Sequence, residues 1–216
     1  MNKPKDASGT LDNEAEITLG LLNVIHENSS LTQRSAAGEL GIALGLVNTY
    51  LKRCIKKGWV KMAQAPANRY LYYLTPHGFA EKSQLTRQYL ACSFNFFRAA
   101  RSQCSDLFAL SAENGWSRMA LYGESDLAEI ATLCAREHPV SLMAVIDPNS
   151  GADIFSGIPV VKDLQSIEDG DVDAVMLTDL NNPQDGFDAL AKDFPAERIL
   201  APRLLKVSRK PLVFME

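Results

Sequence analysis

Between Thr32 and Lys56 the sequence places two amphipathic segments on either side of Gly41, and this arrangement constrains the fold more than any other feature. Thr32 is suited to cap the first helix with its hydroxyl. Gly41 is suited to a tight turn, because glycine adopts positive φ without steric cost. The second helix is predicted to begin near Leu44. Helical spacing predicts that its buried stripe consists of Val47, Leu51, Cys54 and Ile55.

The segments on both sides of this helix pair complete a small domain. Upstream, Glu14 to Glu27 has the spacing of an amphipathic helix. Downstream, Gly58 is suited to end the second helix, and two short strands are predicted at Val60 to Ala63 and Arg69 to Leu74. A turn that contains Pro66 and Asn68 joins these strands. Three helices followed by a hairpin predict an α+β winged helix-turn-helix domain over residues 14–77.

Basic residues are concentrated in the same part of the chain. The whole sequence has a formal net charge of −4, but Ser30 to Ala80 contains seven Lys or Arg residues and one Glu, a local charge of +6. From Trp116 onward, nine basic residues stand against seventeen acidic ones, a charge of −8. A basic module joined to an acidic one predicts that the first contacts double-stranded DNA and that the second does something else.

The second helix of the pair is the predicted DNA-contacting element. Short side chains at its start let the backbone approach a groove, and the basic residues behind them reach phosphates. The predicted contact residues are Arg34, Leu44, Gly45, Asn48, Thr49, Lys52, Arg53, Lys56 and Arg69. The alternative is a small helical domain with a solvated basic face.

A long helix is predicted over residues 78–114, because the sequence from Phe79 to Ala112 has neither proline nor glycine. At 1.5 Å per residue this helix is about 50 Å long, more than a small winged domain covers. Its apolar side chains include Leu85, Tyr89, Phe94, Phe96, Phe97, Cys104, Leu107, Phe108 and Leu110. A second copy of the same helix would cover them, which predicts a homodimer. The alternative is that the helix packs on the C-terminal part of its own chain.

The C-terminal residues 115–216 alternate strand and helix patterns. Apolar strands are predicted at Arg118 to Tyr122, Val140 to Ile146, Ile158 to Val161, Ala174 to Leu177 and Arg198 to Leu200. Helices are predicted at Leu127 to Arg136, Lys162 to Ile167 and Phe187 to Lys192. This alternation predicts an α/β Rossmann-like domain with a parallel sheet.

The first strand-to-helix turn of that domain carries a glycine pattern. Gly123, Ser125 and Ala128 form GxSxxA, and Asp147 ends the next strand, where a carboxylate can bind a ribose diol. Such ligands bind at the carboxyl ends of the strands. The predicted ligand site is Gly123, Glu124, Ser125, Asp126, Asp147, Thr178 and Asp179. The alternative is a purely structural domain.

Catalysis and metal binding find little support in the sequence. There is no GxSxG, HExxH or GxxxxGK[ST] pattern, so no catalytic residue is predicted. The three histidines, His26, His77 and His138, fall in different predicted elements, and none is expected near a nucleophile. The four cysteines form no CxxC pair, so neither a disulfide framework nor a metal site is expected.

The remaining features concern the cysteines, the cellular location and the N-terminal residues. Cys54 and Cys134 are expected in the core, whereas a redox role for Cys92 or Cys104 stays open. No apolar run is long enough to cross a bilayer and no targeting signal precedes the first helix, so a cytoplasmic protein is expected. Residues 1–13 are predicted to be a flexible tail.

The first part of the chain, from Glu14 to Arg101, resembles the MarR-type winged-helix regulators associated with exopolysaccharide gene clusters. The segments that carry the resemblance are VNTYLKRCIKKGWVKM (Val47 to Met62) and YLYYLTPHGFAEKSQLTRQYL (Tyr70 to Leu90). The resemblance implies a dimeric transcription regulator.

The part from Arg118 to Val207 is similar to the Rossmann domains of the redox-sensing Rex repressors and to the nucleotide-sugar-binding domains of sugar acyltransferases. The segments involved are LYGESDLAEIA, the Asp147-Pro148 strand end, FSGIPVV and DAVMLTD. Ser125 stands where the Rossmann pattern has a glycine. The similarity implies a nucleotide-type ligand, either a nucleotide sugar or NAD(H).

These observations support one hypothesis about the function of the chain, and two alternatives stay open. The chain is expected to be a cytoplasmic, dimeric transcription regulator and not an enzyme, in which a winged domain binds DNA and an α/β domain senses a nucleotide-type metabolite. One alternative is a nucleotide- or nucleotide-sugar-dependent enzyme. The other is a scaffold whose α/β domain binds a protein partner.

Overall fold

The computed structural model describes residues 13–66, 69–167 and 172–209. The chain forms two compact units, Met1–Phe96 and Phe97–Glu216, and one long helix continues from the first into the second. The predicted N-terminal tail lies outside the described residues except for Asn13, which begins the first helix. Within the described residues, no helix is long and apolar enough to cross a membrane.

Three helices form the start of the first unit: α1 (Asn13–Glu27), α2 (Gln33–Leu40) and α3 (Leu44–Lys56). Thr32 caps α2 as predicted, because its hydroxyl accepts a hydrogen bond from the Ser35 amide at 3.1 Å. Gly41 adopts φ +62° in the turn between α2 and α3, the conformation for which glycine was expected there. The buried side chains of the three helices share one core: Leu19, Leu21, Leu22, Val24, Ile25, Ala36, Val47, Leu51 and Cys54.

An antiparallel hairpin follows, formed by β1 (Val60–Ala65) and β2 (Arg69–Leu74), with Val60 opposite Leu74. Pro66 lies in the turn, whereas Asn68 of the predicted turn lies outside the described residues. The buried side chains of Trp59, Val60 and Tyr72 attach the hairpin to the helical core. These elements confirm the predicted winged helix-turn-helix.

The long helix α4 spans Pro76–Glu113, close to the predicted bounds. Leu85 is buried against the core of the first unit, and Ala100, Cys104 and Phe108 are buried in the second unit. The expectation that Leu85, Cys104 and Phe108 stay exposed on this helix is therefore wrong, because the chain itself covers them. Tyr89, Leu90, Phe94, Phe97 and Leu110 are exposed.

The second unit contains one mixed, mostly parallel sheet of six strands. Its strands are β3 (Arg118–Tyr122), β4 (Ser141–Ile146), β5 (Ile154–Phe155), β6 (Ile158–Val161), β7 (Ala174–Leu177) and β8 (Ile199–Leu200). Their spatial order is β5-β6-β4-β3-β7-β8, and only the β5–β6 pair is antiparallel. The chain runs outward from β3 to β4 and β6 and then returns to the other side of β3, so the order reverses between β3 and β7.

Among the described residues, α5 (Asp126–Ala135), α6 (Pro183–Leu190) and the second part of α4 accompany this sheet. The helix predicted from Lys162 to Ile167 is only a 3-10 turn at Leu164–Ser166. The Asp163 carboxylate accepts hydrogen bonds from the Ser166 amide and hydroxyl, which closes the turn after a few residues. The two-residue strand β5 was not predicted, because it is too short to show alternation.

Candidate functional site

Helix α3 presents one outward side that carries most of the predicted DNA contacts. Successive helical residues lie 100° apart, so Gly45, Thr49, Lys52 and Lys56 lie opposite the buried residues of this helix. All four are exposed. Leu44 and Leu46 are 50% and 43% exposed, and they flank this side on the first turn. We call this surface, residues 44–46, 49, 52 and 56, the outward face of α3.

Some basic residues near this face contact other side chains of the chain, and others do not. Arg53, predicted to contact DNA, forms a salt bridge with Glu14 of α1. The Lys57 ammonium lies 4.2 Å from the centre of the Trp59 ring. Among the described residues, Lys52 and Lys56 form no ion pair. These two lysines are therefore the free cations of α3.

The other predicted contact residues differ in exposure and in the element on which they lie. Asn48 is only half-exposed, and the Thr49 hydroxyl donates a hydrogen bond to the Gly45 carbonyl at 2.9 Å. Arg34 is exposed on α2, and Arg69 begins β2 beside the turn of the hairpin. Lys61 was missing from the predicted set, although it is exposed on β1 of the hairpin. Its position in a strand next to a basic helix was the signal that could have identified it.

The predicted ligand residues of the second unit come together at the carboxyl edge of the sheet. Gly123 follows β3, Asp147 follows β4, and Thr178 and Asp179 follow β7. Because the strand order reverses between β3 and β7, Gly123 and Thr178 lie at the switch point where open α/β sheets bind ligands.

Ser125 is the centre of a hydrogen-bond network at this edge. Its hydroxyl oxygen accepts from the Leu127 and Ala128 amides at 3.1 and 3.2 Å, which caps α5. The same hydroxyl donates to the Thr178 carbonyl at 2.6 Å. The Thr178 hydroxyl in turn lies 2.7 Å from the Gly123 carbonyl, to which it donates. The amides that would otherwise hold a phosphate are therefore bound to a protein oxygen.

Gly123 is required by close packing at this edge. Its φ is +97°, and a Cβ atom placed on it would lie 2.6 Å from the Asp179 Cβ and 2.7 Å from the Asp179 Cα. A side chain at residue 123 therefore disrupts the fold, whatever the ligand. Substitution of Gly123 cannot separate ligand binding from folding.

Three acidic residues of the predicted site have different surroundings. The Asp147 carboxylate accepts from the Glu124 and Asn149 amides at 3.0 and 2.9 Å. The Oε1 atom of Glu124 is buried and has no hydrogen-bond partner among the described residues. Asp126 is exposed in the first turn of α5.

Burial, together with the nearby Asp179 and Asp147 carboxylates, raises the pKa of the Tyr122 phenol.

A family comparison matches the first unit. A winged helix-turn-helix DNA-binding family model matches residues 14–61, which include α1, α2 and α3. This part of the chain is a winged helix-turn-helix DNA-binding domain. No curated protein matches the sequence.

Solved structures similar to this chain include MarR-family regulators. The PcaV transcriptional regulator of Streptomyces coelicolor, in complex with its natural ligand, is 19% identical over 38% of this chain and 59% of its own, with a TM-score of 0.35. A MarR family protein of Mycobacterium tuberculosis, in complex with p-aminosalicylic acid, is 16% identical over 37% and 61%, with a TM-score of 0.33. FabT of Streptococcus pneumoniae, in complex with DNA, is 22% identical over 37% and 57%, with a TM-score of 0.31. The chain thus spans about three fifths of the length of these proteins.

Sequence reasoning missed a cleft of about 160 Å³ in the second unit. Tyr122 and Ile146, the last residues of β3 and β4, line it together with residues from the β6–β7 connection and from α6. None of the predicted ligand residues lines this cleft. The only sequence signal for it is that its two strand residues come directly before Gly123 and Asp147.

The expectation that no histidine lies near a nucleophile is wrong for His138. Its Nε2 atom lies 2.8 Å from the Ser105 hydroxyl, and its ring packs 6.0 Å from that of Phe108. The neighbouring Glu137 carboxylate is bound by Arg101 of α4. These contacts join α4 to the end of α5 within the second unit.

The thiol of Cys104 is fully buried, and burial raises its pKa to about 12. A thiol of this kind is almost entirely protonated at neutral pH and reacts slowly. Among the described residues, no group of His, Cys, Asp and Glu side chains is arranged to hold a metal ion.

We expect Ser125→Ala to lower the free energy of unfolding by about 1 kcal/mol, because the α5 amides lose their cap. Chemical unfolding of the full chain, followed by circular dichroism, measures this change. Ser150→Ala is a control, since Ser150 caps no helix and accepts from one loop amide. Equal stability of Ser125→Ala and the unmodified chain would contradict the structural role of this hydroxyl.

Proposed function

We propose that this chain is a transcription regulator that places the outward face of α3 in the major groove of DNA. The observation that carries the proposal is a pair of exposed lysines, Lys52 and Lys56, which form no ion pair with any described residue and follow short residues on a winged helix-turn-helix domain. Lys61 on the hairpin and Arg34 on α2 add positive charge to the same domain. The net charge of −8 from Trp116 onward disfavours contact between the C-terminal residues and phosphates.

We also propose that the regulator is a homodimer formed through α4. Leu90, Phe94 and Phe97 are exposed and are spaced by four and three residues, so they lie on one face of this helix. The side chain of Phe94 is 58% exposed, an unusual environment for phenylalanine in a helix centre. A second copy of the same face would cover this stripe, and the two-fold symmetry would match a two-fold operator.

For the second unit we propose a nucleotide-type metabolite, either a nucleotide sugar or NAD(H), as the ligand. The position of Gly123 and Thr178 at the switch point supports this choice. Because Ser125 occupies the α5 amides, a sugar and not a phosphate is the group expected beside this turn.

The genes under control are proposed from the sequence resemblance. The segments Val47 to Met62 and Tyr70 to Leu90 resemble regulators of exopolysaccharide clusters, and a nucleotide sugar is a building block of such polymers. We further propose that the chain is a regulator and not an enzyme. The Ser105–His138 pair argues little for hydrolysis, because Glu137, the acid next to His138, is held by Arg101.

We expect the double variant Lys52→Ala/Lys56→Ala to bind duplex DNA of any sequence more weakly than the unmodified chain. Each lysine that contacts a phosphate releases counterions, so the slope of log affinity against log salt should fall by about 0.9 for each phosphate that is no longer neutralised. Fluorescence anisotropy with a labelled duplex, repeated over a range of salt concentrations, measures both effects.

The matched control removes two positive charges from the second unit, through Lys192→Ala/Lys206→Ala. Both residues are exposed and outside the winged domain. This variant should keep the salt slope of the unmodified chain. If both double variants behave alike, net charge and not the α3 surface governs binding, and the proposed interface is wrong.

We expect Phe94→Asp to shift the chain from dimer to monomer at micromolar concentration. Burial of a phenylalanine side chain contributes roughly 1.5–3 kcal/mol, and an unpaired carboxylate in an apolar interface is costly. Sedimentation equilibrium measures the change. Leu133→Asp on α5, where the leucine is similarly exposed, is the control and should leave the dimer intact. A monomeric unmodified chain at this concentration would overturn the dimer.

We expect a nucleotide sugar or NAD(H) to bind the unmodified chain and Asp147→Asn to bind it about tenfold more weakly, because a charge-assisted hydrogen bond becomes neutral. Titration calorimetry with UDP-, GDP- and CMP-sugars and with NAD(H) measures the affinities. Asp185→Asn, an exposed carboxylate in the first turn of α6 and outside the predicted site, is the control. If every compound binds more weakly than about 1 mM, the second unit is better explained as a protein-binding module.

A further inference from the structure

The outward face of α3 begins with apolar and not with polar side chains. Leu44 and Leu46 are about half exposed on the first turn, and they stand on either side of Gly45. Neither leucine belongs to the core cluster of the first unit. About half of each leucine is therefore left to solvent at the two edges of this face, and the exposed Lys52 and Lys56 follow further along α3.

Gly45 agrees with the same interpretation through its position. A Cβ atom on this residue would have no heavy atom within 4 Å among the described residues, so packing there does not require glycine. The same is true of Gly38 on α2, but only Gly45 lies on the first turn of α3, on the side that carries Lys52 and Lys56. Glycine destabilises a helix relative to alanine. The absent side chain is explained if another molecule approaches the backbone of α3 at this residue.

The hydrogen-bonding groups of this turn are too few for recognition of bases by polar contacts. The Thr49 hydroxyl donates its hydrogen to the Gly45 carbonyl, so it has no donor left for a base. Asn48 is only half-exposed. The surface that the first turn of α3 exposes to a DNA groove is therefore mainly the apolar surface of the two leucines.

We propose that α3 selects thymine: Leu44 and Leu46 contact the C5-methyl groups of thymines in the major groove, and Gly45 lets the helix come close enough. This inference rests on the proposed DNA binding. Among the four unmodified bases, only thymine presents a methyl group in the major groove. The positive charges of Lys52 and Lys56 on the same surface match flanking phosphates, which makes DNA a better occupant than an apolar protein surface.

The test begins with the duplex that the unmodified chain selects most strongly from a random pool. Each thymine of that duplex is then replaced, one at a time, by uracil, which lacks only the methyl group. We expect one or more thymines in each half-site at which uracil lowers affinity about fourfold, the effect of one buried methyl group. At those sites, 5-methylcytosine should bind more tightly than cytosine.

The variants assign the methyl contacts to named residues. In Leu44→Ala/Leu46→Ala the difference between thymine and uracil should disappear, while the salt dependence stays unchanged because the lysines remain. Both leucines are exposed, so the fold should persist, and circular dichroism checks this. If the thymine preference survives in this variant, other residues contact the methyl groups and the assignment is wrong.

Gly45→Ala is expected to change two measured quantities in opposite directions. It should raise the free energy of unfolding, since alanine favours the helix, and lower the affinity for the selected duplex at least tenfold. Gly38→Ala is the matched control, because a Cβ atom at Gly38 on α2 also meets nothing within 4 Å. This control should raise stability and leave DNA affinity unchanged. Unchanged affinity in Gly45→Ala would overturn the close approach.

The outcomes separate this inference from the proposed function. If no duplex binds even at low salt, the DNA-binding proposal fails and the leucines form a different interface. If the chain binds DNA with the usual salt dependence but does not distinguish thymine from uracil, DNA binding stands and the thymine contact is overturned.

Discussion

The arrangement of the winged domain depends on one junction, where the hairpin ends and the long helix begins. The Thr75 hydroxyl donates to the Gly58 carbonyl at 2.6 Å and accepts from the Gly78 amide at 3.0 Å, and the Thr75 amide donates to the Trp59 carbonyl at 3.0 Å. A Cβ atom on Gly78 would lie 2.0 Å from that carbonyl oxygen, so only glycine fits there. One threonine thus connects the end of α3, the hairpin and the start of α4, and it fixes the hairpin beside α3.

The junction explains how an acidic chain can present a basic surface for DNA. Because α3 and the hairpin are held together, the lysines of the two elements belong to one domain, and the salt bridge of Arg53 with Glu14 attaches α3 to α1. In the second unit, hydrogen bonds of Ser125 and Thr178 connect the turns after β3 and β7. At the edge where ligands of such sheets bind, these groups therefore already form hydrogen bonds with one another.

The features that the sequence predicted well are those determined by local chemistry. The Thr32 cap, the Gly41 turn and the strands of the sheet other than β5 follow from hydrogen-bonding capacity, positive φ and apolar patterns, which neighbouring residues report. The features that it missed depend on contacts between distant residues. Nothing near Phe108 indicates that the second unit covers it, and nothing near Arg53 indicates that Glu14 binds it. The helix predicted at Lys162 failed because the side chain of Asp163 competes with the backbone.

In the proposed complex, DNA contacts α3 and the hairpin and leaves the second unit free. Lysine acetylation of the unmodified chain with and without duplex DNA, quantified by mass spectrometry, tests this arrangement most directly because each lysine reports separately. We expect DNA to slow acetylation of Lys52, Lys56 and Lys61 and to leave Lys192 and Lys206 unchanged. Equal protection of both groups, or protection of the second group alone, would contradict it.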